Sequence, residues 1–389
     1  MRIGMLGTRG IPASYSGFET CIEQLGQRLV ERGHEITVYC RSHHVQYDEP
    51  TYLGMRLVKL PTIRNKYLDT FIHTGLSSIH ALSQRFDVAI YFIAGNSPFT
   101  WIPHLVGTRT ILNVDGLDWR REKWPALAKH YIRWAEHLAT KLPNTFLTDS
   151  QAVQVYYQRQ YHVRPPYISY GSDQEVRPPG KFMAKYGLEQ GKYVLFVGRL
   201  VPENGIHHLI EAFQQIETDF KCVIVGGSAY AEGYVEWLQS LAASDPRIIL
   251  TGYLFGEGYQ ELGSNASIFV ETSMVGGTHP ALIEAMAFGN AVIVNNTPEN
   301  LETIGDAGFS YDGREGAASL KEALQRLLEA PDLIDRYAGL ASRRAQETYS
   351  WDAVTDRYEA LCYLVGGHSL PARLESLKDQ LIKTNMPRK

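Results

Sequence analysis

Short hydrophobic runs that alternate with amphipathic patterns along most of the chain constrain its fold more than any other feature. RIGMLG (2–7) and EITVYC (35–40) have the composition of strands, and residues 18–32 between them have the periodicity of an amphipathic helix. Because the Val/Ile runs are continuous rather than alternating, they indicate parallel strands covered by helices on both faces. Further strands are predicted at 56–60, 87–92, 108–114, 144–149 and 166–170.

The same pattern starts again near residue 192, which predicts a second domain. KYVLFVG (192–198) reads as a strand that leads into a helix at 205–217, and a further helix is predicted at 280–288. A chain of 389 residues also exceeds one ordinary hydrophobic core. We therefore predict an α/β protein with two Rossmann-like, doubly wound domains that face a cleft. The other strands of the second domain are predicted at 221–227, 247–252, 266–271 and 291–296.

The boundary between the domains is predicted at YGSDQEVRPPGKF (170–182), which is rich in Gly, Pro and charge. The first domain is expected to cover 1–172 and the second 173–351, with helices from about 352 to 389 packing back on the first. Ligands of open α/β sheets bind at the carboxyl ends of the strands, so the cleft is the expected binding site.

Composition indicates a soluble globular protein with an uneven charge distribution. Residues 1–170 contain 19 Lys/Arg and 13 Asp/Glu, a net of +6, whereas residues 171–389 contain 19 and 29, a net of −10. A basic first half suits phosphates or an anionic membrane surface, although two surfaces can also acquire such a difference by chance. The four cysteines are far apart, no apolar run is long enough to span a bilayer, and no signal-peptide pattern is present, which predicts a cytoplasmic protein. No pattern indicates nucleic-acid binding.

Two loops at strand ends carry candidate anion-binding residues. Gly17 lies just before the first helix, whose exposed N–H groups favour anions, although a tight βα turn alone would also require glycine. VGRLVPENGI (197–206) places Arg199 at the carboxyl end of a strand, where a guanidinium can bind phosphate oxygens or simply lie at the surface. The GxGxxG and GxxxxGK[ST] fingerprints of NAD and ATP sites are absent.

GGTHPALIEAMAFGNAV (276–292) combines a glycine pair with a helix start and one acid. Pro280 suits the first helical position, and Thr278 or His279 the cap. Glu284 follows one turn later, where a carboxylate can accept two hydrogen bonds from a ribose diol. The alternative is an exposed helix-start glutamate that the helix dipole favours.

These motifs together resemble the retaining glycosyltransferases of family 4, which have the GT-B fold. GGTHPALIEAMAFGNAVI resembles the family's donor-binding element, VGRLVPENGI its GR-x-x-x-EKG segment, and residues 16–40 its N-terminal helix and strand. RGIPASYSGFET and NVDGLDWRREKW (113–124) are similar to a bacterial branch associated with rhamnosyl transfer in polysaccharide assembly.

The resemblance implies a nucleoside diphosphate sugar as donor, with no cofactor and no bound metal. Arg199 would bind the diphosphate, Glu284 the ribose, and Gly17 would close against the diphosphate from the first domain. Asp115 occupies the position near the sugar ring where many relatives have histidine, so the expected catalytic residues are Asp115, Arg199 and Glu284. The expected donor-binding residues are Ser16, Gly17, Gly198, Arg199, Asn204, Tyr253, Gly276, Gly277, Thr278, His279, Pro280 and Glu284.

The chain departs from the family pattern at three positions. The first glutamate of the family's E-x7-E motif is replaced by Gly276, the lysine after Glu203 by Asn204, and the first glycine of the N-terminal pair by Ser16. The missing glutamate puts the usual contact to sugar hydroxyls in doubt, and the missing lysine removes a cation that would stabilise the leaving group. These changes indicate either a different donor or a low activity.

The segment 119–141 interleaves basic residues with Trp119, Trp124, Tyr131 and Trp134. It is interpreted as a docking surface for a lipid-diphosphate acceptor at the inner face of an anionic membrane, or as an ordinary amphipathic helix with tryptophans in the core. The histidine pairs at 43–44 and 207–208 are interpreted as surface or loop residues, because the sequence suggests no third metal ligand near either pair.

The predicted function is transfer of a sugar, by resemblance rhamnose from dTDP-rhamnose, onto a glycan or lipid-linked glycan. Two alternatives remain open at the level of sequence. One is a nucleotide-sugar 2-epimerase, which would act on UDP-GlcNAc without an acceptor. The other is a weakly active subunit that binds a sugar nucleotide, which Gly276 and Asn204 suggest.

Overall fold

The computed structural model describes residues 1–13, 17–65, 68–114, 116–120, 124–173, 175–228, 231–275 and 278–382. It divides the chain into two compact units. The first unit contains Met1–Gly171 together with the C-terminal residues from Trp351 onwards, and the second contains Ser172–Ser350. Each unit has its own parallel sheet, so the prediction of two doubly wound α/β domains is confirmed.

The strands are short, as expected for strands that cross one domain core. In chain order they are β1 (Arg2–Leu6), β2 (Glu35–Arg41), β3 (Thr51–Tyr52), β4 (Met55–Leu60), β5 (Val88–Phe92), β6 (Arg109–Asn113), β7 (Thr145–Leu147), β8 (Tyr193–Val197), β9 (Lys221–Val225), β10 (Ile248–Gly252), β11 (Ile268–Glu271), β12 (Ala291–Asn295) and β13 (Phe309–Tyr311).

Helices connect most of these strands. They are α1 (Gly17–Glu31), α2 (Asp69–Gln84), α3 (Ala126–Ala139), α4 (Gln151–Tyr161), α5 (Lys181–Tyr186), α6 (Ile206–Gln214), α7 (Glu232–Ala242), α8 (Glu257–Asn265), α9 (Pro280–Phe288), α10 (Pro298–Ile304), α11 (Ala317–Leu328), α12 (Pro331–Tyr349), α13 (Trp351–Gly366) and α14 (Lys378–Ile382). Single turns of 3₁₀ helix or slightly more occur at Ala94–Phe99, Ile102–Val106, Asp118–Arg120, Pro202–Asn204 and Ala372–Leu377.

The sheet of the first unit has the order β3-β4-β2-β1-β5-β6-β7, and that of the second has the order β10-β9-β8-β11-β12-β13. All neighbouring strands pair in parallel except β3 and β4, which form an antiparallel hairpin. In each sheet the strands that follow the first one are added on one side of it, and the later strands are added on its other side. The strand order therefore reverses between β1 and β5 and between β8 and β11.

Alternating side chains of the second sheet build two separate hydrophobic layers. Val194 and Phe196 of β8 pack in the layer that contains α6 and α11, whereas Tyr193 and Leu195 pack in the layer that contains α9 and α12. All four side chains are almost fully buried. Burial on both faces explains why the strand reads as a continuous hydrophobic run in the sequence.

Three parts of the sheets differ from the sequence prediction. The strand predicted at 166–170 is wrong: the segment makes one isolated bridge, between Thr148 and Tyr167. Pro166 lacks the N–H that a longer ladder would need, and only its carbonyl accepts a bond, from the amide of Thr148 at 3.0 Å. Strand β3, which forms a hairpin with the predicted strand β4, and the edge strand β13 were not predicted, because segments of two or three residues carry no readable alternation.

The C-terminal helix α13 belongs to the first unit, although it follows the second unit in sequence. It packs against α1, β5 and β6. The Asn113 side-chain amide at the end of β6 donates to the Tyr358 hydroxyl at 2.8 Å. A side chain at Gly171 would lie 2.6 Å from the Trp351 ring, so glycine allows this close approach.

Candidate active site

The candidate site of the second unit lies where the strand order of its sheet reverses. The loops after β8 and β11 leave the carboxyl ends of neighbouring strands and continue to opposite faces of the sheet. Such a switch point is where open α/β sheets bind ligands. Gly198, Arg199 and Asn204 follow β8, and Thr278, His279 and Pro280 follow β11.

Backbone and side-chain hydrogen bonds fix the loop after β8. The Asn204 side-chain amide donates to the Arg199 carbonyl at 2.8 Å, and Gly205 closes the 3₁₀ turn with a positive φ of 61°. The Thr272 hydroxyl donates to the Asn204 carbonyl, and the Met274 amide donates to the Glu203 carbonyl at 3.0 Å. The loops after β8 and β11 are therefore tied to each other, and the side chain of Asn204 shapes the loop that carries Arg199.

The Arg199 side chain carries a positive charge at the switch point of the second sheet. Its side chain is partly exposed, and within the described ranges its guanidinium makes no hydrogen bond or ion pair. Guanidinium groups remain protonated in proteins and match the geometry of phosphate oxygens. A cation at the switch point that no carboxylate neutralises is therefore available to an anionic ligand.

Close backbone contact holds the ends of β8 and β9 together. A Cβ added to Gly226, after β9, would lie 1.8 Å from the Gly198 carbonyl oxygen. The neighbouring Gly227 is covered by Tyr253, and a Cβ there would lie 2.6 Å from the tyrosine ring. Tyr253 is 50% exposed and stacks on Phe255 with ring centroids 5.8 Å apart. The pair presents a flat aromatic surface at the end of β10.

Helix α9 begins at Pro280, as the sequence predicted, and His279 is its N-cap residue. The His279 side chain makes no cap hydrogen bond, so the predicted capping role of this side chain is wrong. Only its carbonyl takes part, accepting from the amides of Leu282 and Ile283 at 3.1 and 3.3 Å. The first amides of α9 are thus not capped by the His279 side chain.

Glu284 is not the exposed glutamate of the alternative interpretation. It is partly buried one turn into α9, and its carboxylate accepts a hydrogen bond from the Tyr259 hydroxyl of α8. Burial raises the pKa of Glu284 to about 7, and the bond from Tyr259 only partly offsets this rise. A carboxyl that titrates near neutrality inside a ligand-binding region is typical of a functional site.

A second carboxylate at the switch point was not identified from the sequence. Glu271 ends β11, is 2% exposed and accepts hydrogen bonds from the Ser273 amide at 2.9 Å and the Ser273 hydroxyl at 2.5 Å. The Asn295 side chain donates to the Ser273 carbonyl at 3.2 Å. These bonds fix the first residues of the loop that leads to α9. The feature of the sequence that could have revealed this carboxylate is the polar triplet 271–273, which begins at the last residue of a buried strand.

The structure brings most of the predicted donor residues to the carboxyl edge of one sheet and leaves others elsewhere. Gly17 begins α1 of the first unit. Ser16, Asp115, Gly276 and Gly277 lie outside the described residues. The ligand contacts assigned to all of these residues stay predictions. The predicted residues at the second sheet are Gly198, Arg199, Asn204, Tyr253, Thr278, His279, Pro280 and Glu284.

Family models match both units. Residues 180–344 match the family described as Glycosyl transferases group 1. Residues 2–173 match a family described as Domain of unknown function (DUF1972). The first match contains the whole switch point of the second sheet.

Relatives and solved structures extend this likeness to both units. The chain is 23% identical to the alpha-maltose-1-phosphate synthase of Mycobacterium tuberculosis, an alignment that covers 93% of this chain and 100% of that protein. Sucrose-phosphate synthase from Thermosynechococcus elongatus has a similar structure, with a TM-score of 0.82 and 20% identity over 95% of this chain and 100% of that chain.

A third similar structure is the HepE protein of Anabaena in complex with UDP-glucose. Its TM-score is 0.74 at 16% identity, over 93% of this chain and 99% of that chain. Likenesses at this level of identity show the fold, which is GT-B with two Rossmann-like domains.

Proposed function

We propose that this protein transfers a sugar from a nucleoside diphosphate donor onto a glycan or lipid-linked glycan. The match of residues 180–344 to the family described as Glycosyl transferases group 1 supports this proposal. The observation that carries the proposal is the Arg199 guanidinium at the switch point of the second sheet, to which no described side chain is bonded. A group that leaves as a diphosphate requires a fixed positive charge at such a place.

In this proposal the diphosphate, the ribose and the base of the donor each bind a different part of the second unit. The diphosphate oxygens bind Arg199 and the start of α9, where helix amides and the helix dipole favour anions. The Glu284 carboxylate accepts hydrogen bonds from the ribose diol. The exposed ring pair of Tyr253 and Phe255 offers a surface for the base. HepE, whose structure holds UDP-glucose, has the same fold, which supports a nucleotide sugar as the donor.

The proposed reaction keeps the configuration of the anomeric carbon. The bond between this carbon and the diphosphate oxygen breaks as the acceptor oxygen forms its bond on the same face. The acceptor proton passes to an oxygen of the leaving diphosphate, so that no separate protein base is required. Arg199 stabilises the charge that develops on the diphosphate. Asp115 is proposed to orient the sugar or the acceptor, and no metal takes part.

The proposed donor is dTDP-rhamnose, because the segments RGIPASYSGFET and NVDGLDWRREKW resemble the rhamnosyl branch of family 4. A 2-epimerase or a weakly active binding subunit would bind a nucleotide sugar as well. Product analysis separates them, since an epimerase converts the donor without an acceptor and a binding subunit makes no product.

A thermal-shift panel of UDP-, GDP- and dTDP-sugars tests the proposal. A donor present at 100 times its Kd should raise the free energy of unfolding by about 2.7 kcal/mol. Arg199→Ala should reduce the rate of transfer by about 100-fold or more, because it removes a charge that stabilises the leaving group. Arg314→Ala is the matched control, an exposed arginine after the edge strand β13. The proposal fails if no nucleotide sugar stabilises the chain, or if both variants retain full activity.

We further propose that the first unit contacts an anionic membrane, where a lipid-linked acceptor would lie. The described residues of the segment 119–141 include α3, on which Leu127 is 84% and Trp134 is 51% exposed. The interpretation that places all tryptophans of this segment in the core is wrong for Trp134. Two basic side chains are exposed nearby: Arg133 lies on α3, and Lys141 follows the end of this helix. No described helix has the length and apolarity to cross a bilayer.

Helix α2 adds to the exposed apolar surface, because it exposes large apolar side chains and buries mainly polar ones. Its exposed side includes Phe71, Leu76 and Ile79, which are 40%, 40% and 59% exposed. The α2 side chains that are fully buried are His73, Thr74, Ser77, Ser78 and Ala81. A helix that turns apolar residues to solvent marks an interaction surface. The ring centroids of Phe71 on α2 and Tyr131 on α3 lie 6.0 Å apart, so this surface continues onto α3.

Sedimentation with vesicles tests the membrane contact. The protein should sediment with vesicles that contain phosphatidylglycerol and much less with neutral ones, and added salt should release it. Ile79→Glu should reduce the bound fraction severalfold, whereas Val176→Glu, at a 64% exposed position of the second unit, should not. Sedimentation that depends neither on anionic lipid nor on Ile79 would disprove the contact.

A further inference from the structure

We propose that His43, His44 and Asp69 of the first unit form a binding site for a divalent transition metal ion of the zinc class. The two histidines lie in the loop after β2, and Asp69 is the first residue of α2. They could not be joined from the sequence alone, because a carboxylate 25 residues further along the chain is not recognisable as a ligand. This inference does not depend on the proposed transferase activity.

The spacing of the three side chains fits a tetrahedral ion. One ligand atom from each residue lies within 4.8 Å of the others. The Asp69 Oδ2 atom is 3.2 Å from His44 Nε2 and 3.7 Å from His43 Nε2. Zinc bonds of about 2.1 Å in tetrahedral geometry separate two ligand atoms by roughly 3.4 Å. The ligands therefore need only small shifts, and a fourth position remains for water.

The two oxygens of the Asp69 carboxylate differ in their hydrogen bonding. Oδ2 accepts a hydrogen bond from Arg41 Nη1 at 2.8 Å, whereas Oδ1 is buried and makes no hydrogen bond within the described part of the chain. Buried carboxylate oxygens are rarely left unsatisfied, and an absent ion or water is one cause. The Arg41 guanidinium also bonds the Thr70 hydroxyl at 2.9 Å, which holds the Asp69 end of α2 in place.

The types of ligand, together with the surrounding charges, indicate the class of ion. Arg41 and Arg9 both act electrostatically on this cluster. Their positive charges oppose Mg²⁺ or Ca²⁺, which bind mainly through the charge of oxygen ligands. Two imidazoles with one carboxylate instead suit Zn²⁺, Co²⁺ or Ni²⁺, which form strong bonds to nitrogen. The site is thus suited to a borderline transition metal and not to a hard cation.

An ion in this site would connect two segments that are separate in sequence. It would link the loop after β2 to the first turn of α2 and close the segment that contains the β3–β4 hairpin. Binding to the folded chain alone stabilises it by mass action.

The test uses the full chain without an affinity tag, freed of metal with a chelator. Titration calorimetry with ZnCl2 should show one ion per chain, and CoCl2 should give the visible absorption of tetrahedral cobalt. His43→Ala and His44→Ala should each weaken binding at least tenfold, while MgCl2 should give no heat. Thermal unfolding of the metal-free variants shows whether they remain folded, and Asp69→Asn provides a third variant that retains the size of the side chain.

A second histidine pair supplies the matched control. His207 and His208 on α6 are also adjacent, with ring centroids 4.3 Å apart, but no third ligand joins them in the described part of the second unit. The His207→Ala/His208→Ala double variant should bind zinc as the native chain does. The proposal is overturned if the native chain binds no zinc or cobalt. It is equally overturned if binding survives in folded His43 and His44 variants, or depends on His207 and His208.

Discussion

At the scale of single residues, the surroundings of Glu284 determine both the pKa and the orientation of its carboxyl group. The side chains around it on α9 are apolar, and Leu282, Ile283, Ala285 and Met286 are almost fully buried. This burial raises the pKa of Glu284 to about 7, and the Tyr259 hydroxyl keeps the carboxyl in one orientation. The carboxyl is therefore held in one orientation, and its pKa lies near neutrality.

This pKa predicts that donor binding depends on pH. A diol is bound best by the carboxylate, so the affinity for the donor should fall as the pH drops below about 7, approaching tenfold per unit well below that value. The protonated carboxyl conversely stabilises the fold at low pH, and this contribution is lost as the pH rises through about 7. Calorimetry between pH 5.5 and 8 should use a nucleotide sugar, whose diphosphate does not titrate in this range.

Glu284→Gln should weaken donor binding and remove its dependence on pH. Glu257→Gln is the matched control, since Glu257 is an exposed glutamate of α8 that pairs with Lys181 at 2.7 Å. An unchanged pH profile in the Glu284 variant would rule out the ribose contact.

At the scale of secondary-structure elements, the position of Arg199 depends on how closely β8 and β9 approach each other at their ends. The Gly198 amide donates to the Val225 carbonyl, and the Leu200 amide donates to the Gly227 carbonyl, both at 3.0 Å. Gly226 lies between these bonds with a φ of +149°. Any side chain at this position would meet the Gly198 carbonyl, which is backbone and cannot turn aside.

We predict that Gly226→Ala lowers the free energy of unfolding by about 2 kcal/mol or more, because the loop after β8 must move. The same shift would displace Arg199 and reduce activity. Gly233→Ala in α7 is the control, since nothing lies within 4 Å of its Cβ, and its effect should stay within about 1 kcal/mol. Chemical denaturation of both variants measures the difference, and equal stability would contradict the close approach.

At the scale of the whole molecule, an ion-pair network joins distant parts of the chain within the first unit. The buried Glu359 of α13 accepts bonds from Arg32 at 2.9 Å and from His34 at 3.1 Å, where α1 leads into β2. Arg373 completes the network at 2.5 Å. Burial raises the pKa of Glu359, but the bonds from His34, Arg373 and Arg32 outweigh it and lower the pKa to about 2.

This lowered pKa predicts a loss of stability in acid. The contribution of Glu359 is fully present above the pKa of an unfolded glutamate, about 4.5, and is lost as the pH falls towards about 2. Glu359→Gln should lower the free energy of unfolding by about 3 kcal/mol at neutral pH, because buried charges lose their partner. Denaturation at several pH values should show that the variant loses less stability in acid than the native chain, and parallel curves would refute the network's role.

The order of buried strands and helices could be predicted from the sequence, because that pattern is local. Continuous hydrophobic runs such as 193–197 determine strands covered on both faces, and Pro280 with the glycines before it determines where α9 begins. The positions of Arg199 and Glu284 relative to these elements follow from spacing alone. The strand predicted at 166–170 was wrong. The composition of this segment is typical of a strand, but its proline has no N–H group to donate to a neighbouring strand.

Only the tertiary structure decided which distant residues meet. The Tyr259 partner of Glu284, the Asp69 partner of His43 and His44, and the His34 partner of Glu359 each depend on the strand order. The sequence could not show that α2 buries its serines and exposes Ile79, because the buried side of a helix depends on the elements that surround it. Periodicity fixes local structure, whereas contacts between remote residues arise from how the sheets are ordered and covered.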